Sequence, residues 1–497
     1  MRHLTGLDAQ FLALETPRQY GHVGGLAVYD PSSAPGGQLT LLDIQRLIAE
    51  RLPLLPPFRW RLVEVPLGLD YPYWIDDPDF DLDFHVRELA IPAPYTDAKL
   101  SEQVARIFAR PLDRARPLWE LYLIHGLEGG KVAMLTKIHH AVIDGVSGAE
   151  IMSALLDPSP DGREPSEADL PAGERRPSDF ELLGRGLLGL PRYPLRVAQA
   201  LPRTLPNIEE VPLFSSLPGA RTIGRITARA QRVVGLREAE LLERPKLRAP
   251  RTSFNGRISP HRRFAFGQLD LDAVKQVKNE HGCTVNDVVV TLCAGAVRRW
   301  LIEHDELPDD PLVAQIPISV RTDEQRATFG NRVSLMSAAL FTNEPDPIQR
   351  LMRTHVALRE LKERHKALPA QLMQDATQFI PPAVFGLASR ATASLAAGRA
   401  RPVWNLVISN VPGPQFPLFS VGARLDANYP VSVITDGMGL NITVMSYCGH
   451  LDVGIVADRE QMPDVWSLIG WLDEALEELA PGRRRRAPRP RVEQPAE

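Results

Sequence analysis

The chain has 497 residues, of which 44% are hydrophobic and 24% charged, and 57 Lys and Arg against 61 Asp and Glu give a net charge of -4. These values are typical of folded globular proteins, exclude a disordered or fibrous chain, and give no global signal for binding nucleic acid. A chain of this length is expected to form two large domains.

The N-terminal half begins without a recognisable targeting segment. Asp8 interrupts the first residues before an apolar stretch can form, and no stretch of about 20 residues is free of charge, so we expect neither a signal peptide nor a transmembrane helix. Apolar residues at helical spacing predict helices over 40–52 and 97–110, and strand-like patterns cover 84–89 and 118–127. The turn at 128–130 joins the last of these to 131–139, which predicts a β-hairpin.

Two adjacent histidines follow this hairpin. His139, His140, Asp144 and Gly145 fall on a predicted strand-to-helix loop, because residues 147–150 have capping-box spacing. Neighbouring strand side chains point to opposite faces, so we expect one imidazole to enter a reaction space, where it can take a proton from a hydroxyl group, and the other to pack behind it. Asp144 could hold the loop geometry, and Gly145 supplies backbone freedom. Spacing alone leaves a metal site or ordinary loop histidines equally open, although no third ligand cluster follows to complete a metal site.

The second half is separated from the first by proline-rich sequence. Residues 157–179 combine Pro, Gly, Ser and charge and predict an exposed linker, and a second proline-rich passage covers 201–218. We therefore divide the chain into an N-terminal domain (1–156), a linker or crossover that can face a membrane (157–220), a C-terminal domain (221–481) and a disordered basic tail (482–497). The predicted C-terminal elements are strands at 263–271, 312–320, 403–410, 440–447 and 451–457 and helices at 272–281, 286–304 and 463–479, the last with Pro463 in its first turn.

The segment HHAVIDG, from His139 to Gly145, is similar to the HHxxxDG signature of the CoA-dependent acyltransferase superfamily. The chain resembles the bacterial wax ester synthase/diacylglycerol acyltransferase family over nearly its whole length, through further segments in matching order: LDAQFL (7–12), HVGG (22–25), PLWE (117–120), ND (286–287), PISVR (317–321) with GN (330–331), and SNVPGP (409–414). The resemblance implies a mixed α/β fold of two chloramphenicol-acetyltransferase-like domains that form a pseudo-dimer around a central tunnel. It implies no cofactor and no metal, because acyl-CoA is a substrate.

The resemblance also implies residue roles. It assigns His140 as the general base and His139 and Asp144 to structural support, with Arg321 as an ion-pair partner of Asp144.

Supporting roles near the site are less specific. Asn286 and Asp287 either cap the following helix, for which Thr284-x-x-Asp287 has the spacing, or support the catalytic centre, where Asn286 and backbone N–H groups are candidate oxyanion donors. Trp119 is expected to be a buried wall of the site rather than a substrate contact.

The expected substrates are a long-chain acyl-CoA and diacylglycerol or a fatty alcohol, so the protein should visit a membrane or lipid droplet. Residues 182–203 and 379–401 mix apolar residues with arginine and suit an interface, although both could instead pack on the core, and six arginines lie between 483 and 491. Cys283, Cys293 and Cys448 lack metal-ligand spacing and are too few for a disulfide framework, which favours the cytoplasm, with peripheral binding at the inner membrane face or lipid droplets.

Two other functions stay open at this point. An acyltransferase that esterifies a polyketide or glycolipid alcohol would carry the same motif. A noncatalytic lipid-droplet protein of the same fold would not need the intact His139, His140, Asp144 and Gly145.

Overall fold

A computed structural model describes residues 1–143, 148–164, 173–189, 247–319, 333–366 and 401–480. Their helices are α1 (Gly6–Ala13), α2 (Leu41–Arg51), α3 (Leu82–His85), α4 (Asp97–Phe108), α5 (His140–Ile143), α6 (Gly148–Leu155), α7 (Asp179–Gly189), α8 (Leu271–His281), α9 (Val285–Glu303), α10 (Pro347–Lys366) and α11 (Ser467–Leu479). Their strands are β1 (Arg2–His3), β2 (His22–Asp30), β3 (Trp60–Val63), β4 (Tyr73–Asp76), β5 (Val86–Ala90), β6 (Trp119–His125), β7 (Val132–His139), β8 (Arg262–Asp270), β9 (Val313–Ser319), β10 (Val333–Ala339), β11 (Leu406–Val411), β12 (Phe419–Ser420), β13 (Ala423–Val431), β14 (Leu440–Tyr447) and β15 (His450–Asp458).

The strands form two six-stranded sheets and a small sheet of β1, β4 and β3. The first large sheet has the order β12-β13-β2-β7-β6-β5, and the second has the order β10-β9-β11-β14-β15-β8. Helices pack on the sheets, so the predicted mixed α/β class is confirmed. The antiparallel pairing of β6 with β7 also confirms the predicted hairpin.

Two strands from the C-terminal half, β12 and β13, belong to the first sheet. β13 pairs antiparallel with β2, from Arg424 opposite Asp30 to Val431 opposite Gly24, and β12 pairs with β13. The SNVPGP turn that leads into them therefore connects the two halves of the protein. The predicted C-terminal domain (221–481) therefore contributes strands to both large sheets, because β12 and β13 (residues 419–431) belong to the first sheet.

A hydrophobic cluster joins the two sheets. Phe108 from α4 packs with Phe264 and Phe266 from β8 and with Tyr429 from β13, and all four side chains are buried. The Ser101 hydroxyl of α4 donates to the Phe264 carbonyl oxygen. Burial of aromatic side chains on this scale contributes several kcal/mol, at about 25 cal/mol per Å² of apolar surface, so the two halves form one packed unit.

Several predicted element boundaries differ from those of the structure, and two of the differences have a clear local cause. The last helix begins at Ser467 rather than Pro463, because Asp464 accepts a backbone hydrogen bond from Ser467 (3.0 Å) and one from the Trp300 indole (3.0 Å), which hold residues 463–466 in turns. Strand β5 begins at Val86, because the four preceding residues form the short helix α3, capped by the Asp81 side chain.

The predicted exposed linker begins with a buried residue. The Asp157 carboxylate lies 3.3 Å from Arg51 and 2.5 Å from Arg163, and its side chain is 4% exposed. The Asp157 backbone also exchanges two hydrogen bonds of 2.8 Å with Phe419 of β12. The start of the linker is therefore fixed between α2 and the crossover strands.

None of the helices within the described ranges is both long and apolar enough to cross a membrane.

Candidate active site

The two motif histidines lie at the junction of β7 and α5. His139 is the last residue of the strand, and His140 is the first residue of the short helix, so the expectation that both would follow strand alternation was wrong. The His140 N–H donates to the Gly21 carbonyl at 2.7 Å, which ties the junction to the chain before β2. His139 is 1% exposed, whereas His140 is half-buried.

Both ring nitrogens of His139 are engaged. The Ala141 N–H donates to His139 Nδ1 at 3.1 Å, so Nδ1 is an acceptor and the proton lies on Nε2. His139 Nε2–H then donates to Glu15 Oε1 at 3.2 Å. This ring has no accessible lone pair left to take a proton from a substrate.

Glu15 is a site residue that the sequence patterns did not reveal. Its carboxylate accepts from His139, from the Gly21 N–H at 2.8 Å and from Arg114 at 2.8 Å. Burial would raise the pKa of Glu15, but the hydrogen bonds from His139, Gly21 and Arg114 outweigh it and lower the pKa from 4.5 to about 2. Glu15 is therefore ionised and fixes the Nε2–H tautomer of His139. Its position three residues after the LDAQFL segment was the signal that could have drawn attention to it.

Gly21 allows the close approach that this network needs. A Cβ atom at position 21 would lie 2.8 Å from His139 Nε2, so a larger residue would displace the ring or the backbone that holds His140. Position 21 therefore requires glycine because there is no space for a Cβ atom, and not because of the backbone angles.

His140 packs against an aromatic ring from the start of the chain. The Phe11 and His140 ring centroids are 3.9 Å apart with an interplanar angle of 17°. Phe11 is carried by α1, which a capping box between Thr5 and Asp8 begins. The LDAQFL segment therefore supports the second motif histidine through one stacking contact.

A third histidine, His22, faces His139 across the pair of β2 and β7. It is buried, and its Nε2–H donates to the Phe108 carbonyl at 2.7 Å. Burial, together with the nearby Lys137 ammonium, holds the pKa of His22 well below its usual value, so the ring is neutral.

Asn286 and Asp287 lie at the N-terminus of α9, as the cap interpretation predicted. Asp287 N–H donates to Thr284 Oγ1 at 3.2 Å, and Asp287 Oδ2 accepts from Thr284 N–H at 2.9 Å. Asp287 Oδ2 also accepts from His355 Nδ1–H at 2.8 Å, and Asn286 Oδ1 accepts from Asn410 Nδ2 at 3.3 Å. These contacts join α9, α10 and the end of β11, and a part of either residue in catalysis stays a prediction.

Trp119 is part of the core beneath the site. Its ring stacks on His85, with centroids 4.4 Å apart, and on Phe58, at 4.7 Å, and its indole N–H donates to the Phe58 carbonyl at 2.7 Å. The side chain is 1% exposed, which favours the wall over the substrate contact.

Asp144, Gly145 and Arg321 lie outside the described residues. The predicted ion pair between Asp144 and Arg321, and the conformational role of Gly145, therefore stay predictions.

Comparison with known proteins identifies the family. Residues 4–289 match the family described as the wax ester synthase/diacylglycerol acyltransferase catalytic domain, and residues 329–480 match the WS/DGAT C-terminal domain. The chain belongs to the wax ester synthase/diacylglycerol acyltransferase family. The family predicted from the sequence, and its enzyme class of acyltransferase, are thereby confirmed.

Relatives of this family are similar over almost the whole chain. A Mycobacterium tuberculosis protein named as a diacylglycerol O-acyltransferase is 37% identical over 480 residues, 96% of this chain and 90% of the relative. The O-acyltransferase WSD of Acinetobacter baylyi is 34% identical over 486 residues, 96% of each chain.

Solved structures support the same family fold. The wax ester synthase/diacylglycerol acyltransferase of Marinobacter aquaeolei aligns with a TM-score of 0.66 and 30% identity, over 96% of this chain and 98% of its own. The first condensation domain of the CDA synthetase aligns with a TM-score of 0.54 and 14% identity, over 97% of each chain, which shows a shared fold alone.

Proposed function

We propose that the protein transfers a long-chain acyl group from acyl-CoA to the hydroxyl group of diacylglycerol, and also to long-chain alcohols, with His140 as the general base. The observation that carries this assignment is the contrast between the two histidines. The His139 ring is buried and uses both nitrogens within the protein, whereas the His140 ring is half-buried at the start of α5.

The chemistry needs one proton carrier and no covalent enzyme intermediate. The imidazole of His140 takes the proton of the acceptor hydroxyl while its oxygen forms a bond to the thioester carbonyl carbon. The carbon–sulfur bond then breaks, the CoA thiolate takes the proton from His140, and ester and free CoA leave with the histidine restored. Glu15 and His139 do not exchange protons with the substrate in this scheme, because their role is to hold the turn that presents His140.

The choice of acceptor rests on the relatives. The Mycobacterium tuberculosis relative is named for diacylglycerol, and the Marinobacter structure is named for both wax ester and diacylglycerol. A polyketide or glycolipid alcohol is the other candidate acceptor, and only an acceptor panel separates them.

A lipid acceptor requires access to a lipid surface, for which α7 provides an apolar face. Its inner face buries Leu182 against Val63 and Ile75. On its outer side Phe180 is 87% exposed and Leu188 is 79% exposed. An amphipathic helix with exposed large apolar residues suits peripheral binding at an inner membrane face or lipid droplet. Residues 182–189 of this helix are the described part of the predicted interfacial segment 182–203, and Phe180 lies just before that segment. Residues 379–400 of the second predicted segment, 379–401, and the arginine-rich tail lie outside the described residues.

The acyl transfer is tested with purified protein, labelled palmitoyl-CoA, and dioleoylglycerol, hexadecanol, a glycolipid alcohol or water as acceptor. We expect the wild-type protein to form triacylglycerol from dioleoylglycerol and wax ester from hexadecanol. The His140→Ala variant should form both products much more slowly than the wild type. Transfer to the glycolipid alone would contradict the proposed acceptor, and transfer to water alone would indicate a thioesterase.

Membrane binding is tested by flotation with phosphatidylcholine/phosphatidylglycerol vesicles. The double variant Phe180→Ser, Leu188→Ser should float less than the wild type, whereas Leu42→Ser, at an exposed leucine of α2, should float equally. Equal flotation of all three proteins would contradict a role for α7.

A further inference from the structure

Asn428 lies where the two halves of the protein meet. It is carried by β13, the crossover strand of the first sheet, and its backbone N–H donates to Asp452 Oδ2 of β15 in the second sheet at 2.7 Å. Its side-chain Nδ2 lies 3.6 Å from the sulfur of Met152 and 3.6 Å from the sulfur of Met445. Met152 belongs to α6, the helix that follows the histidine motif, and Met445 belongs to β14.

The amide of Asn428 therefore donates to two thioether sulfurs, which are weak hydrogen-bond acceptors. An oxygen acceptor from a ligand would form a stronger hydrogen bond at the same place. The surrounding surface is accessible, because Asn428, Met152, Met445, Gly25 and Thr136 are all half-buried although they come from the interior elements of both halves.

Gly25 allows the Asn428 amide to approach β2 closely. A Cβ atom at position 25 would lie 2.6 Å from Asn428 Oδ1, so a larger residue would push the amide out of position. The neighbouring hydroxyl of Thr136 is already engaged, since it accepts from the Gly25 N–H at 3.1 Å and donates to the Gly25 carbonyl at 3.3 Å.

Thr136 lies on β7, the strand that ends with the histidine motif. Thr136 precedes His139 by three residues on β7, a Cα separation of roughly 10 Å at about 3.3 Å per residue, and this odd spacing places Thr136 on the sheet face opposite to the buried His139. An imidazole side chain and a glycerol backbone together span such a distance. A group bound at Asn428 can therefore belong to the same molecule as a hydroxyl that reacts at His140.

We propose that Asn428 is a specificity-determining residue that donates a hydrogen bond to an ester carbonyl of diacylglycerol. This inference rests on the proposed function. Diacylglycerol carries two ester carbonyls beside its reacting hydroxyl, whereas a fatty alcohol carries none, and the acyl-CoA is the same in both reactions. The amide thus favours the acylglycerol acceptor over a plain alcohol.

The test compares kcat/KM for dioleoylglycerol and for hexadecanol at saturating palmitoyl-CoA. Asn428→Leu removes the donor at similar size, and Gly25→Ala displaces it without removing it. Gln276→Leu, on the exposed face of α8, is the matched control for loss of a side-chain amide. Thermal melting establishes that each variant is folded, and if Asn428→Leu does not fold, Gly25→Ala decides.

We expect the diacylglycerol-to-alcohol ratio to fall about 5- to 10-fold in Asn428→Leu and in the same direction in Gly25→Ala, as loss of one hydrogen bond to substrate predicts, and to stay constant in Gln276→Leu. An unchanged ratio would overturn the inference and leave the proposed function standing. An equal fall for both acceptors, with a raised KM for palmitoyl-CoA, would overturn it by placing the amide at the acyl donor. Wild-type protein that acylates neither acceptor would overturn the proposed function and this inference together.

Discussion

Glu15 and His139 are joined across 124 positions of sequence by a 3.2 Å contact between Oε1 and Nε2. The contact withholds His139 from proton exchange with a substrate, because a carboxylate accepts only and so keeps the His139 proton on Nε2. That His140 exchanges protons with a substrate stays a proposal.

Replacement of Glu15 should therefore act through His139. Glu15→Ala leaves the buried His139 Nε2–H and the Gly21 N–H without their acceptor, and we expect a loss of about 1–3 kcal/mol in the free energy of unfolding together with slower turnover. Glu15→Gln retains an acceptor oxygen and should lose less of both. Urea unfolding and initial rates of acyl transfer measure the two effects, and an Ala variant as stable and active as the wild type would contradict the assigned role.

The same residue predicts a dependence of stability on pH. The pKa of Glu15 is lowered from 4.5 to about 2 in the folded protein, so its ionised form stabilises the fold at any pH above 4.5, and this contribution is lost as the pH falls from 4.5 towards 2. The difference in unfolding free energy between wild type and Glu15→Gln should be constant from pH 7 to the upper end of that window and shrink below it. A difference that widens on acidification would show that the carboxylate is not stabilised as described.

The two histidines should respond differently to alanine. His140→Ala removes the proposed base, and we expect turnover to fall by about 10²- to 10⁴-fold with little change in melting temperature. His139→Ala leaves Glu15 and Arg114 around a cavity and should lower the melting temperature as well as the rate. Single-turnover assays beside thermal melts distinguish the two. Near-normal turnover in folded His140→Ala protein would falsify the proposed base.

The pairing of Asp287 with His355 predicts a structural effect in the second half. His355→Ala removes one partner of a carboxylate whose side chain is 3% exposed, and we expect a loss of about 1–3 kcal/mol in unfolding free energy. Arg353→Ala on the same helix breaks an exposed ion pair with Glu344 and should cost less than about 1 kcal/mol, so it is the matched control. Equal losses of unfolding free energy in the two variants, measured by chemical denaturation, would contradict a larger contribution from the buried pair of Asp287 and His355.

Much of the local structure could be predicted from the sequence, because its causes are local. The capping box at Thr284 and Asp287, the apolar face of α4 and the hairpin before His139 all depend on residues within about four positions of one another or on a short repeat. The position of the motif at a strand-to-helix junction follows from the same signals.

The parts that the sequence did not predict depend on contacts between distant residues. Glu15 has no local pattern that marks it as the partner of His139. Asp157 lies in a stretch with the composition of a linker, yet Arg51 and the backbone of Phe419 surround it. Strand propensity alone does not determine which strand β13 pairs with, so its pairing with β2 in the first sheet could not be predicted from the sequence.

Because β13 pairs with β2, one edge of β2 stays unpaired during synthesis until β13 has been made. β2 leaves the ribosome early, but the strand that covers its edge follows roughly 400 residues later, which takes on the order of 20 to 80 s at typical bacterial or eukaryotic rates of synthesis. Throughout that interval the edge of β2 presents unpaired N–H and C=O groups, which can pair with another chain. A fragment that ends before Ala423 keeps this edge open permanently, so such a fragment should aggregate during expression rather than yield an independent catalytic domain.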